Sequence, residues 1–155
     1  WIWLLVGCVV APVLLAIVGI LAAIVIPSFV DAMQRAKQHG AASDLARIGQ
    51  AVEAYKAEHG FAPAGGDMNA LKAALGSAGS GLPTVDPWRH PYRYGCWQEE
   101  SSAGCDHYRV VSAGRDGRFE QDDLSAYASG AFAAREYDRD LVYGDGALLA
   151  APAGR

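Results

Sequence analysis

The apolar residues of this chain are concentrated at its start. Residues 1–26 contain no charged side chain, and the first charge along the sequence is Asp31. A membrane-spanning helix needs about 20 consecutive apolar residues to cross about 30 Å of hydrocarbon. The pattern therefore predicts a transmembrane helix over residues 1–26. The length of the run favours a retained anchor over a cleaved secretory signal, whose apolar core is shorter.

After this run, the spacing of apolar residues becomes that of an amphipathic helix. Good helix formers dominate residues 27–59, and Gly60 is typical of a helix C-cap. One apolar stripe recurs at intervals of three and four residues, and it consists of Ala41, Leu45, Ile48, Val52 and Tyr55. We expect one long helix, whose second part buries this stripe against a small domain.

Residues 60–155 form the head, in which short elements are separated by Gly and Pro. Asp67 followed by MNALKAAL predicts a short capped helix over residues 68–75. Alternating side chains predict one strand at residues 92–94 and another at residues 107–112. The simplest arrangement of these two strands is an antiparallel hairpin with a long polar loop.

The last part of the chain predicts a second hairpin. The stretch LVYGDGALL, residues 141–149, has a Gly-Asp-Gly turn between two apolar runs, and the final residues APAGR are expected to be loose. The whole pattern predicts an α+β fold. In it a long N-terminal helix, transmembrane over residues 1–26 and amphipathic over residues 27–59, packs on a small antiparallel β-sheet.

Composition and motifs narrow the function classes. The chain has 155 residues, with 13 Lys and Arg against 17 Asp and Glu, and its formal net charge is -4. This mildly acidic balance without a basic run disfavours nucleic-acid binding. The sequence contains no GxSxG, HExxH, P-loop or GxGxxG motif, and its four histidines show no ligand spacing. These observations favour a protein that is not an enzyme.

The cysteines predict a disulfide. Cys96 and Cys105 flank the loop of the first predicted hairpin, and the two ends of a hairpin lie close enough to be bridged. A disulfide implies an oxidising compartment. The alternative is a zinc site formed by these cysteines with His90 and His107, but no CxxC spacing supports it. We expect Cys8 to be a buried thiol in the anchor.

The segment SAGRDGRFEQDDLSAY follows the second predicted strand and is rich in carboxylates. Calcium takes about six to eight oxygen ligands from carboxylates and carbonyls. Gly114 and Gly117 would let the backbone bend toward such an ion. The spacing is not that of an EF-hand, and taken alone the acidity is typical of a solvated turn.

Two stretches resemble a known family. GILAAIVIP, residues 19–27, begins a helix that ends in Gly-Phe-Ala-Pro, and DPWRHPYRY, residues 86–94, is similar to DPWGNPYxY. Together they resemble the type IV pilin-like superfamily, and most closely the major pseudopilin of type II secretion systems. In that family the Asp-Pro-Trp motif starts the sheet and packs it on the helix. We expect Trp88, Tyr92 and Tyr94 to be core aromatics rather than a ligand platform.

The resemblance implies a structural function. Subunits would pack by their apolar helices into a short filament that supports protein export. Their partners would be membrane lipid, further copies of the chain, other pseudopilins and secretion components of the bacterial inner membrane. The protein would cross that membrane once, with its head in the periplasm or in a filament. The helix residues implied in assembly are Ile17, Gly19, Ile20, Leu21, Ile24, Pro27 and Phe29.

At one position the chain departs from the family pattern. Val10 stands where pilins carry a Glu that pairs with the terminal amine of a neighbouring subunit. Two alternatives to the pseudopilin stay open, and this departure favours the second of them. One is a type IV pilin or minor pilin used for adhesion, motility or DNA uptake. The other is a membrane-tethered binding module that has the pilin fold but does not polymerise.

The resemblance also implies a calcium site in the acidic segment. Asp116 matches the first carboxylate ligand, and the backbone carbonyls of Ala113 and Arg118 match the main-chain ligands. The second carboxylate has two alignments, because the ending YDRDLVYGDG also fits the family if LSAYASGAFAARE is an insertion. The candidates are Asp122 or Asp123 in the first alignment, and Asp138 and Asp140 in the second.

Overall fold

The computed structural model describes residues 2–98 and 104–153, apart from the side chains of residues 2–13, 17, 18, 21, 22 and 24. The first element is a single α-helix, α1, which runs over Ile2–His59. This confirms the prediction of one continuous helix. The chain forms two compact units, Trp1–Gln34 and Arg35–Arg155. The division at residues 26 and 59 that the sequence suggests stays a prediction.

In the first unit, α1 exposes large apolar side chains. Those that the structure describes are Leu14, Leu15, Ile20, Val25, Ile26, Phe29, Val30 and Met33. Within the described part of the chain, no helix combines the length and the apolarity that spanning a bilayer requires. Most side chains of the predicted anchor, residues 1–26, lie outside the described residues, so the anchor stays a prediction.

In the second unit, α1 buries the predicted apolar stripe. Ala41, Leu45, Ile48 and Val52 are fully buried, and Tyr55 packs beside them. Burying a Leu, Ile or Val side chain contributes about 1.5–3 kcal/mol, so this face provides much of the core. The helix ends as its sequence predicts. Gly60 has a φ of 85°, and its N–H donates to the Lys56 carbonyl at 2.8 Å.

The short helix α2 runs over Met68–Leu75, as its sequence predicts. One side-chain oxygen of Asp67, Oδ1, accepts hydrogen bonds from the N–H groups of Asn69 and Ala70, both at 2.8 Å. These bonds satisfy two donors that have no partner within the helix. Met68, Leu71 and Leu75 are buried, which fixes α2 to the main core.

Five strands form one sheet with the order β1-β2-β4-β5-β3. Their bounds are Arg93–Trp97 for β1, His107–Ser112 for β2, Gly130–Phe132 for β3, Leu141–Gly144 for β4 and Ala147–Pro152 for β5. The pairs β1–β2 and β4–β5 are both antiparallel. Both predicted hairpins are therefore confirmed.

The sheet differs from the sequence prediction at its β3 edge. It is mixed rather than antiparallel, because β3 pairs with β5 in parallel. Ala151 and Pro152 belong to β5, so the expectation that the residues from 151 onward are loose was wrong for these two. The reason is a non-local pairing, in which Ala151 lies opposite Ala131 and the Ala153 N–H donates to the Phe132 carbonyl at 2.8 Å.

Tyrosines connect the sheet to α1 and to the segment that follows α1. The Tyr108 hydroxyl donates to Glu53 Oε1 at 2.8 Å, and the Tyr94 hydroxyl donates to the Pro63 carbonyl at 2.6 Å. Burial raises the pKa of both hydroxyls, so they stay neutral donors. Tyr92 is also buried and Trp88 packs against the core, which confirms the prediction of core aromatics.

The predicted disulfide is present between Cys96 and Cys105, whose Cα atoms lie 5.6 Å apart. It joins the end of β1 to the residues just before β2. Because both sulfurs are used in this bond, the alternative zinc site is wrong. The loop between the cysteines includes residues 99–103, which are not among the described residues. The side chain of Cys8, in the predicted anchor, is not described either.

Candidate functional site

The acidic loop, residues 113–120, follows β2 and lies against residues 137–140, which lead into β4. The Arg115 N–H donates to the Tyr137 carbonyl at 2.8 Å. Gly114 has a φ of 64°, and a Cβ atom there would lie 2.7 Å from the carbonyl oxygens of Tyr137 and Arg139. A side chain at position 114 would therefore break this contact, and the loop needs glycine at that point.

The Asp-Pro-Trp turn is hydrogen-bonded to the end of β2 and, through His90, to the acidic loop. The Asp86 carboxylate is buried, and its Oδ1 accepts from the N–H groups of Trp88 and His90 at 2.9 Å. Its other oxygen accepts from the Ser112 hydroxyl at 2.8 Å. His90 Nδ1 in turn donates to the Gly114 carbonyl at 2.9 Å. The motif thus connects the start of the sheet to the acidic loop.

Asp140 is the buried carboxylate of the site. Its Oδ2 accepts hydrogen bonds from the Tyr127 hydroxyl and, at 2.7 Å, from the Glu120 N–H. Its Oδ1 is buried and has no hydrogen-bond partner among the described residues. Burial raises the pKa of Asp140, and the nearby charges of Glu120 and Asp116 raise it further. An unpartnered buried oxygen lowers the stability of the fold by about 1–3 kcal/mol. A donor or cation that bound this atom would offset that cost.

Asp116 is the other predicted ligand in this part of the loop. Its Oδ1 accepts from the Arg118 N–H at 3.0 Å, which shapes the turn. Its carboxylate is near enough to Asp140 for its charge to raise the pKa of that residue. The choice between the two sequence alignments stays a prediction.

Asp138 is in the same segment as Asp140 but is engaged differently. Both its oxygens accept hydrogen bonds from the Arg115 guanidinium, at 2.8 and 2.6 Å. These bonds lower the pKa of Asp138, although both side chains are about half exposed. Asp138 is thus a partner of Arg115 on the surface.

Asp122 and Asp123 lie in a groove beside β1. Asp123 Oδ1 accepts from the N–H and the hydroxyl of Ser125, both at 2.8 Å, and so caps a single 3₁₀ turn over Leu124–Ala126. These bonds lower the pKa of Asp123. The carbonyl oxygen of Asp122 accepts from the Arg93 guanidinium at 3.4 Å. Their contacts hold the turn against the edge of the sheet.

The structure does not assemble the full predicted ligand set. Among the residues it describes, no three His, Cys, Asp or Glu side chains gather into a group that could hold a metal ion. The carbonyls of Ala113 and Arg118 stay predicted ligands. Calcium binding is therefore still a prediction at this point.

The predicted helix-assembly residues fall partly within the described residues. Ile20 is 62% exposed and Phe29 is 66% exposed, and Gly19 and Pro27 are exposed as well. The side chains of Ile17, Leu21 and Ile24 lie outside the described residues. The assembly role of these residues stays a prediction.

Three contributors to the site were missed from sequence. Tyr127 lies in the segment LSAYASGAFAARE, which is an insertion under the second of the two sequence alignments. Its hydrogen bond to Asp140 is non-local, and no local pattern points to it. His90 was considered only as a zinc ligand. Asp86 begins an Asp-Pro turn, so its backbone bonds could have been expected from turn chemistry.

Comparison with known proteins identifies a family that matches this chain. The family model described as type II secretion system (T2SS), protein G, matches residues 28–129. No curated protein and no solved structure matches the chain. The matched range contains α1 from residue 28 to its end, including the whole apolar stripe. It also contains the Asp-Pro-Trp turn, β1, β2 and the acidic loop, and it ends before Asp140. Because this range is more than half of the sequence, the chain belongs to the family of type II secretion system protein G, the major pseudopilin.

Proposed function

We propose that the chain is a structural subunit of a pseudopilus, which assembles through α1 to support protein export. Family membership supports this role, since the family is one of secretion-system components and not of enzymes. The observation that carries the assembly step is the apolar surface of α1 in the first unit, where Leu15, Ile20 and Phe29 are each more than 60% exposed. Large exposed apolar surfaces mark sites that lipid or another protein covers.

The proposed location is the bacterial inner membrane, with the head in the periplasm. The uncharged run over residues 1–26 supports a single-pass anchor. The Cys96–Cys105 disulfide supports an oxidising compartment for the head. In this arrangement the helix would be covered by lipid before assembly and by neighbouring subunits after it.

The proposed cofactor is calcium, held in the acidic loop. The donor chemistry fits a hard cation, because Asp140 Oδ1 is a buried carboxylate oxygen that lacks a partner among the described residues. Asp116 would supply a second carboxylate, and the carbonyls of Ala113 and Arg118 would supply main-chain oxygens. Asp122 and Asp123 are less suited, since Asp123 is used in capping a turn and both lie beside β1. A bound cation would neutralise Asp116 and Asp140 and hold residues 113–120 against residues 137–140.

Cysteine crosslinking in membranes tests the assembly step. In a Cys8→Ala background, Ile20→Cys and Phe29→Cys each place a single thiol on the exposed apolar surface of α1. We expect disulfide-linked dimers under mild oxidation, and longer ladders when both substitutions are combined. Ala57→Cys, which is exposed near the end of α1 in the second unit, is the matched control for the single substitutions and should give no disulfide-linked dimer.

Export of a secreted substrate separates the alternatives. In a strain lacking its own major pseudopilin, restored export together with ladders supports the proposal. Ladders with long surface filaments and no restored export would favour a type IV pilin. A chain that stays in the membrane, forms no crosslinks and restores no export would contradict the proposal and favour the tethered binding module.

A further inference from the structure

Glu120, the last residue of the acidic loop, is held against Asp140 at two points. The Glu120 N–H donates to Asp140 Oδ2 at 2.7 Å, and Glu120 Oε1 accepts from the Asp140 N–H at 3.4 Å. The two bonds run in opposite directions between the same two residues. They tie the end of the loop to the segment that leads into β4, and they place the Glu120 carboxylate beside the main chain of Asp140.

Arg139 is the charged partner of Glu120. Its Nε lies 2.5 Å from Glu120 Oε1, and the exposed fractions of the Arg139 and Glu120 side chains are 50% and 35%. Solvent screens an ion pair that is exposed to this extent, so its net contribution to stability is small. The Glu120 carboxylate can therefore exchange Arg139 for another cation at little cost.

Two further carboxylates lie close to this pair. Asp140 is only 2% exposed, and its Oδ1 has no hydrogen-bond partner among the described residues. Burial raises the pKa of Asp140, and the charges of Glu120 and Asp116 raise it further. Each of these two carboxylates is thus near enough to repel the charge on Asp140. A cation bound among the three would remove that repulsion and would give the buried Oδ1 a partner.

We propose that Glu120 is a third carboxylate ligand of the calcium site, and that Arg139 pairs with it when no ion is bound. The inference rests on the proposed calcium site, and it adds a residue that neither sequence alignment contains. Calcium takes about six to eight oxygen ligands, and its affinity depends on the number of ligand charges. Asp116, Glu120 and Asp140 together supply three negative charges, beside the two main-chain carbonyls already proposed. Arg139 and calcium then compete for one carboxylate.

Calcium titration of the full chain in neutral detergent, followed by calorimetry, tests this role. Glu120→Gln removes the charge but keeps the backbone N–H and a side-chain oxygen for the two contacts with Asp140. We expect it to raise the Kd for calcium about tenfold, because a charged ligand is lost. Glu136→Gln removes an exposed carboxylate that lies outside the proposed ligand set. This control should change the Kd by less than about twofold, since solvent screens its charge.

Substitution of Arg139 distinguishes a ligand from a charge that is merely nearby. Arg139→Gln should lower the Kd for calcium about threefold, because it releases Glu120 from an exposed ion pair. Arg118→Gln removes an exposed arginine of the same loop and measures the general effect of losing one positive charge. In a Glu120→Gln background, Arg139→Gln should change the Kd no more than Arg118→Gln does, since there is no carboxylate left to release.

Three results would overturn the proposal. One is calcium binding that Glu120→Gln does not weaken while thermal melting shows the variant to be folded, which would leave a calcium site without Glu120. Another is an equal effect of Arg139→Gln with and without the Glu120 carboxylate, which would make Arg139 only a repelling charge. The third is the absence of calcium binding in the unsubstituted chain, which would contradict the calcium site itself and the role of Glu120 with it.

Discussion

The hydroxyl of Tyr127 donates a hydrogen bond to Asp140 Oδ2, and both side chains are buried. The same oxygen accepts from the Glu120 N–H, while Oδ1 of this carboxylate has no partner among the described residues. Burial raises the pKa of Tyr127 as well as that of Asp140. The phenol therefore remains a donor, and it holds Asp140 in place beside the acidic loop.

Replacing Tyr127 by Phe should destabilise the head. The substitution keeps the ring but removes a donor from a buried carboxylate, and such a loss costs about 1–3 kcal/mol. Denaturant unfolding of the full chain in neutral detergent measures the free energy of unfolding. Tyr143→Phe is the matched control, because Tyr143 is also buried and its hydroxyl makes no hydrogen bond to a described residue. An equal loss in both variants would contradict a specific role for the Tyr127–Asp140 bond.

Calcium should raise the melting temperature of the full chain relative to chelator. Binding to the folded state alone stabilises by about 2.7 kcal/mol when the free ion is at 100 times its Kd. Asp116→Ala and Asp140→Asn should each abolish this rise, whereas the double variant Asp122→Ala, Asp123→Ala should retain it. Magnesium at the same concentration controls for ionic strength.

The outcomes of this experiment decide between the two alignments. Loss of the calcium effect in the double variant, with retention in Asp140→Asn, would favour Asp122 or Asp123 as the second carboxylate. A melting temperature that calcium does not change in the unsubstituted chain would contradict the calcium site altogether.

Local signals were the part of this fold that sequence could predict. The Asp67 cap, the Gly60 C-cap and the Gly-Asp-Gly hairpin each depend on residues within one or two turns of one another. The apolar stripe of α1 follows from a local periodicity, and four of its five residues are fully buried. Such features need no knowledge of distant segments, and all of them were predicted correctly.

Pairings between distant segments were the part that sequence could not predict. The β3–β5 pair is parallel and joins Gly130 to Ala150, and neither short stretch has a pattern that selects the other. The candidate site has the same limitation. Residues 113–120 lie against residues 137–140 because Gly114 passes close to the carbonyls of Tyr137 and Arg139, and no local pattern in either segment points to this contact.

Removing the disulfide should weaken the head by about 2–3 kcal/mol, the chain-entropy value for a loop of this length. The double variant Cys96→Ala, Cys105→Ala tests this in denaturant unfolding, since the two residues are nine apart in sequence. Cys8→Ala, which is outside the bridge, is the control and should unfold at the same denaturant concentration as the unsubstituted chain. If adding a reductant to the unsubstituted chain leaves its unfolding curve unchanged, the prediction is wrong.

Gly49→Ala should destabilise the protein, although alanine is favoured over glycine in a helix by about 1 kcal/mol. A Cβ atom at position 49 would lie 2.0 Å from Cε1 of the Tyr143 ring, so the helix and the sheet would have to move apart. Overpacking of this kind costs about 1–3 kcal/mol. Gln50→Ala, at the next and exposed position, should change the free energy of unfolding by less than about 0.5 kcal/mol. A melting temperature for Gly49→Ala at or above that of the unsubstituted chain would contradict the close helix–sheet contact.

The position of β5 has a consequence for how the protein is made. Among the described strands it is the last in chain order, yet it lies inside the sheet between β4 and β3. During synthesis β3 emerges before the strand with which it pairs, and it must wait for residues 147–152 to follow. A chain that stopped at Gly146 would leave β3 without its neighbour and would turn β4 into an open edge, a form prone to pair with other chains. A premature stop just before residues 147–152 would thus damage the sheet from within.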